Sequence, residues 1–103
     1  MPVVVVATLT PLDGHTQNVL DAFGAASPLV HQEKGCELYA VHTDGKRVVV
    51  VERWTELADL QAHSEGAAIG ELNRLNAGHL EGPAEVLVTE NVPIGDPRKG
   101  TIQ

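Results

Sequence analysis

Residues Val48 to His63, VVVVERWTELADLQAH, constrain the fold more than any other part of the chain. A run of valines has the length and composition of a strand buried on both faces, and Glu52, Arg53 and Trp54 close it with a charge pair and the sole tryptophan. The period then changes. Thr55 can cap a helix in which Leu57 and Leu60 share a face, and His63 lies about 60° from Leu60 at roughly 100° per residue. One indole and one imidazole thus flank a single strand-to-helix turn. A strand that is apolar on both sides needs cover on both sides, and one layer of helices supplies only one.

The other segments supply a sheet for that strand to enter. Val3 to Thr10 is a β-branched run ending at Pro11. Asp13 can then cap a helix whose apolar residues Val19, Leu20, Phe23, Ala26 and Val30 recur at helical spacing. Pro28 falls inside that pattern, where it removes a hydrogen bond at a cost of about 3 kcal/mol, so a kink or a restart capped by Ser27 is expected. Gly35 stops the helix. Cys36 to His42 forms a second strand, with Leu38, Ala40 and His42 on one face and Glu37, Tyr39 and Val41 on the other. Thr43-Asp44-Gly45-Lys46 is a hairpin turn that pairs it antiparallel with Arg47 to Trp54. That third strand turns Val48, Val50, Glu52 and Trp54 one way and Val49, Val51 and Arg53 the other. After Gly66 a further helix brings Ile69, Leu72, Leu75 and Asn76 to one side and ends at Gly78. Ala84 to Asn91 reads as strand four. The order β, α, β, β, α, β is that of an α+β, ferredoxin-like domain over residues 1–92, with an antiparallel sheet and helices on one face. Residues 93–103 read as a C-terminal arm.

Composition narrows the functions open to such a domain. A formal charge of −7 and a pI near 5.0 leave no basic footprint for nucleic acid or an anionic membrane. The single cysteine, Cys36, excludes an intrachain disulfide and a cysteine-rich metal site. Val3 to Leu9 lacks the basic flank of a signal peptide and is too short to span a bilayer, so a cytoplasmic protein is expected. No Gly-rich dinucleotide fingerprint is present. With aromatic residues at 3 %, each ring is a candidate for a specific task.

The stretch GCELYAVHTDGKRVVVVERWTELADLQAH resembles the central signature of the antibiotic biosynthesis monooxygenase family. The pieces that carry the likeness are EKGC, the tyrosine three residues after Cys36, the ERW strand end, and the histidine nine residues after that tryptophan. The resemblance implies a dimeric α/β barrel, a homodimer whose two sheets pack back to back, each subunit keeping its own pocket between sheet and helices. It also implies oxidation of a hydroquinone or polycyclic phenol by molecular oxygen, with no metal or organic cofactor. An isomerase of a small oxygenated metabolite and a non-catalytic ligand-binding or stress-associated dimer are the alternatives. Where many members have a Ser-Pro-His-Phe-like segment, this chain reads Ser64-Glu65-Gly66-Ala67-Ala68, which argues against a histidine pair. Haem degradation is disfavoured too, since Ala7 stands near the place of that subgroup's strand-one asparagine, and the later helix offers Leu72 and Asn73 in place of its histidine.

Such a reaction needs a base, a ring clamp, a dry pocket and a donor for the developing anion. An imidazole titrates near neutrality, which makes His63 the candidate base, the alternative being a surface histidine bonded to a neighbour. Trp54 can donate its indole N–H to substrate or oxygen, or can be a core indole at the sheet edge. Glu52, on the same face, can orient His63, act as a base itself, or form a structural ion pair. Tyr39 and His42 face opposite ways, so at most one can line the pocket directly. If Leu38, Ala40 and His42 face the helices, that one is His42. Phe23 is a wall or core residue, and His79 can close the pocket mouth from its loop. Arg53 belongs to assembly, while His15 and His31 are expected in solvent.

Overall fold

The computed structural model describes residues 1–103. Its elements follow the order β1 (Val3–Leu9), α1 (Thr16–His31), β2 (Cys36–Thr43), β3 (Val48–Trp54), α2 (Leu57–Ser64), α3 (Ala67–Asn76) and β4 (Glu85–Thr89). The strands form one antiparallel sheet in the order β2-β3-β1-β4, the ferredoxin-like α+β arrangement. The Asp-Gly hairpin sets the register between β2 and β3. Asp44 Oδ1 accepts from the amides of Lys46 and Arg47, and Gly45 takes φ 96°. Strand pairing then runs back from Thr43–Val48 to Tyr39–Glu52, with a bulge between Cys36 and Leu38. Val3, Val5, Ala7 and Leu9 of β1 stand beside Trp54, Glu52, Val50 and Val48 on the face that the helices cover. Phe23, Ala26 and Val30 of α1 and Ala68 and Leu72 of α3 close the core over them. No helix is long and apolar enough to cross a membrane.

Local expectations fail at three points. α1 begins at Thr16 with His15 before it, because Asp13 and Gly14 are consumed in a turn with Gly14 at φ 80°. The helix then continues through Pro28 instead of restarting, and Ser27 caps nothing, its Oγ being buried without a partner. Val30, fully buried just beyond the proline, holds the last turn on the sheet. Burying such a side chain gains about 1.5–3 kcal/mol, comparable with the cost of the proline. At the third point, α2 starts one residue later than expected. Thr55 Oγ1 donates to Glu37 Oε2 at 2.7 Å, so Glu56 takes the N-cap position, and its amide donates to Asp59 Oδ2 at 3.2 Å. Asp59 reaches that place only because residue 35 has no side chain. Gly35 sits at φ 79°, and a Cβ there would meet Asp59 Oδ2 at 2.2 Å.

The far face of the sheet carries Val6, Ala40, Val49 and Val51, all only partly buried. On the edge strand β4, Val86, Leu87 and Val88 are 59 %, 63 % and 49 % exposed. The C-terminal arm folds back to this sheet. Asn91 holds the main chain of Ile102 through both its amide atoms at 2.9 Å, and Arg53 donates to the Ile102 carbonyl. Arg53 also pairs with Glu37 at 2.6 Å.

Candidate active site

The last residue pairs of β3 decide what stands at the end of the sheet. Because Glu52 and Trp54 share the covered face, both side chains turn under α2. Trp54 is fully buried, and its Nε1–H donates to Glu52 Oε1 at 2.9 Å. The indole packs against the ring of His63 from α2, with centroids 4.7 Å apart and planes inclined by 31°. His63 is itself 5 % exposed, and its Nδ1 donates to Glu33 Oε1 at 2.7 Å. Glu33 enters from the α1–β2 loop, and Gly66 leaves room for it, since a Cβ there would lie 3.0 Å from Glu33 Oε2. A carboxylate on Nδ1 fixes the tautomer and leaves Nε2 as a proton acceptor. Tyr39, cross-strand from Glu52, sets its ring edge-on to His63 at 5.7 Å.

Burial pushes the Glu52 carboxyl above the usual carboxylate range, and the nearby Glu33 adds to this. The Trp54 donor and His63 pull the other way. Burial likewise raises the Tyr39 phenol, reinforced by Glu52 and Glu33. Both groups are thus biased towards their protonated forms. Around them lies a cavity of about 380 Å³ between sheet and helices, lined mostly by apolar side chains. Val5, Ala7, Leu9 and Val50 form its floor, while Phe23, Leu60, Ile69 and Leu72 form the helical wall. Glu52, His63 and Tyr39 supply polar groups near one end, and Ser64, Asn73 and Asn76 add others from α2 and α3. A groove of about 670 Å³ lies between the β1–α1 loop and the hairpin turn, but it is open and polar and contains none of these groups.

Of the residues singled out from sequence, His63, Glu52, Tyr39 and Phe23 come together at this cavity. Trp54 does not line it. Its indole N–H is committed to Glu52, and it supports both Glu52 and His63 from behind. His42 pairs with Val49 on the far face and is exposed there, so the helix-side member of the Tyr39/His42 pair is Tyr39. His79 lies away from the cavity and meets His15, Nδ1 to Nδ1 at 2.9 Å, so neither imidazole is free in solvent. His31 likewise bonds, through Nε2, to the Tyr39 carbonyl at 3.0 Å. Two residues escaped the sequence reading of the site. Glu33, not Glu52, orients His63. Asn76 was grouped with the apolar face of α3, and its Oδ1 is buried with no partner.

The family model for antibiotic biosynthesis monooxygenase matches residues 2–75. No protein of curated function matches the sequence significantly. Among solved structures, Rv0793 of Mycobacterium tuberculosis superposes with a TM-score of 0.79 at 22 % identity, covering 93 % of this chain and 98 % of that one. PA3566 of Pseudomonas aeruginosa gives 0.80 at 22 % identity over 88 % and 94 %. A structure described as an antibiotic biosynthesis monooxygenase gives 0.80 at 22 % identity over 88 % and 99 %. At such identities these likenesses speak for the fold. With the family model spanning most of the chain from β1 to α3, this protein belongs to the antibiotic biosynthesis monooxygenase family.

Proposed function

We propose that this protein is a cofactor-independent monooxygenase that oxidises a hydroquinone or polycyclic phenol with molecular oxygen. The observation that carries the reading is the part-buried Glu33–His63 pair, with His63 itself buried, at the end of a mostly apolar cavity. His63 Nε2 takes the phenolic proton while Glu33 stabilises the resulting imidazolium. The phenolate passes one electron to oxygen, and the radical pair recombines at a ring carbon as a peroxide. Loss of water then leaves one oxygen atom as a ring carbonyl and the other in the water, whose two hydrogens are the phenolic proton returned from His63 to the peroxide and the single hydrogen of that ring carbon. Glu52, biased towards its protonated form, supplies a donor for the peroxide, and the apolar walls keep bulk water from the radical pair.

The same reading includes a homodimer. Its support is the second apolar sheet face and the exposed valines and leucine of β4, which the helices of one chain leave uncovered.

Oxygen uptake by metal-stripped protein with hydroquinones and anthrones, corrected for autoxidation, tests the activity. His63→Ala should lower kcat by about 10²- to 10⁴-fold. Glu33→Gln, which can present an amide donor to Nδ1 and hold the wrong tautomer, should lower kcat roughly 10- to 100-fold with little change in KM. Uptake unaffected by either change would refute the assignment. Turnover without oxygen would favour isomerisation instead, and binding without turnover a ligand-binding dimer.

A further inference from the structure

We infer that the His15–His79 pair is a proton-controlled latch on the strap between α3 and β4, closed while the two imidazoles share a hydrogen bond and released when both are charged. The inference does not depend on what the cavity binds. The strap, residues 77–84, carries Leu80, Pro83 and Ala84 into the cavity wall, and Leu80 bridges to Pro11 just beyond Leu9, at the end of β1 remote from Glu52. Few polar contacts tie it down. The Leu12 amide donates to the His79 carbonyl at 2.9 Å, and the Glu81 amide donates to the Thr10 carbonyl at 2.8 Å. Gly78, at φ 82°, and Gly82 bracket these anchors, and a Cβ at either would stand in open space, so both ends of the strap have room to turn. One side-chain hydrogen bond completes the attachment, His15 Nδ1 to His79 Nδ1 at 2.9 Å.

Geometry makes that bond depend on protons. With ring centroids 5.1 Å apart, both Nδ1 atoms lie close to the line between the rings, nitrogen aimed at nitrogen. One must carry a hydrogen and the other a lone pair, a condition that the neutral pair meets and that one added proton strengthens. A second proton removes the acceptor and sets two positive charges against each other. The surrounding charges are engaged elsewhere or held apart. Asp21 of α1 shares a hollow with His79, but its Oδ1 accepts from Gln17 Nε2 at 2.8 Å. Asp13 and Glu81 line the open groove beside the two loops, and Arg74 of α3 is paired with Glu71. Lys46 of the hairpin turn meets α1 through its carbonyl, which accepts from Thr16 Oγ1 at 3.1 Å. Both imidazoles are half-buried, and no carboxylate bonds to either, so the doubly charged pair has no partner to offset its repulsion.

Amide hydrogen exchange of the full chain, followed residue by residue and corrected for the intrinsic effect of pH on exchange, tests the latch. Protection of the Leu12 and Glu81 amides should fall by at least about tenfold across the range in which histidine titrates, from about pH 8 to about pH 5, while amides bonded within β1 and β3 keep theirs. The double variant His15→Phe/His79→Phe keeps two rings and removes the titration, so there the fall should disappear. In ¹⁵N-labelled wild type, a coupling between the two Nδ1 nitrogens across the hydrogen bond should be present at the upper end of the range and absent at the lower. Level protection in wild type overturns the inference with no variant needed, as does a fall shared by the sheet amides. A fall that persists in the double variant overturns it too, and so does a coupling absent at every pH.

Discussion

Replacing Gly35 by alanine should damage the helix that carries His63 from outside the cavity. The new Cβ would fall 2.2 Å from Asp59 Oδ2, 2.3 Å from its Cγ and 2.6 Å from its Cβ. Since the Asp59 Cβ is among the overlapping atoms, rotation of the aspartate alone cannot clear the contact, and the start of α2 must move. Two costs add. A residue with a Cβ at φ 79° loses about 1–2 kcal/mol, and displacing Asp59 from the Glu56 amide loses a capping bond of about 1 kcal/mol. The sum, roughly 2–3 kcal/mol, lowers the melting temperature of a domain this size by roughly 10–20 °C. Thermal unfolding of wild type, Gly35→Ala, Asp59→Gly and the double variant checks both parts, glycine being chosen because the Cβ of residue 59 is itself in the contact. In the double variant that contact is gone and only the backbone cost of Gly35→Ala remains, so the two changes should couple by about 1 kcal/mol. Strict additivity, within about 0.3–0.5 kcal/mol, would refute the argument that Asp59 needs the empty space at residue 35.

Two further outcomes follow from burial and backbone geometry. Glu52 has a folded-state pKa above its unfolded one, so its effect on stability is most favourable below the unfolded pKa and worsens as pH rises through the folded pKa. Glu52→Gln should therefore melt higher than wild type at pH 7 and lose that advantage towards pH 4, and an advantage that grew in acid would contradict the sign. Pro28 is exposed within an unbroken α1. Pro28→Ala should restore the bond to the carbonyl of residue 24 and stabilise the fold by about 1–3 kcal/mol in urea unfolding, whereas destabilisation would mean that the proline is required by this helix end.

The sheet was legible because its signals are local. Alternation along Val48–Trp54 fixes the two faces, and Asp44-Gly45 fixes the turn. Counting back from the Thr43–Val48 pair also sets Tyr39 opposite Glu52, and cross-strand partners share a face. Tyr39 could have been chosen over His42 on that count alone. The end of α1 was less legible, since propensity prices Pro28 but not the packing of Val30 that holds the helix past it. Glu33 was out of reach for a different reason. It meets His63 across 30 residues, from a loop whose path depends on Gly35 and on the space at Gly66. Asn76 did leave a signal, an amide at the last position of an apolar stripe, but nothing in sequence says whether such an amide finds a partner within the chain.

Glu33 stands outside the cavity wall, whereas α3 contributes Ile69, Leu72, Asn73 and Asn76 to that wall. The carboxylate–imidazole pair and this part of the wall therefore occupy different stretches of chain, joined through the short α2–α3 connection. Substitutions along the inner stripe of α3 can enlarge, narrow or re-polarise the chamber while the carboxylate, the imidazole and the indole behind them keep their places. A descendant sequence, or a designed library confined to Ile69, Leu72, Asn73 and Asn76, could thus change the shape and polarity of the chamber and inherit the Glu33–His63 pair unchanged.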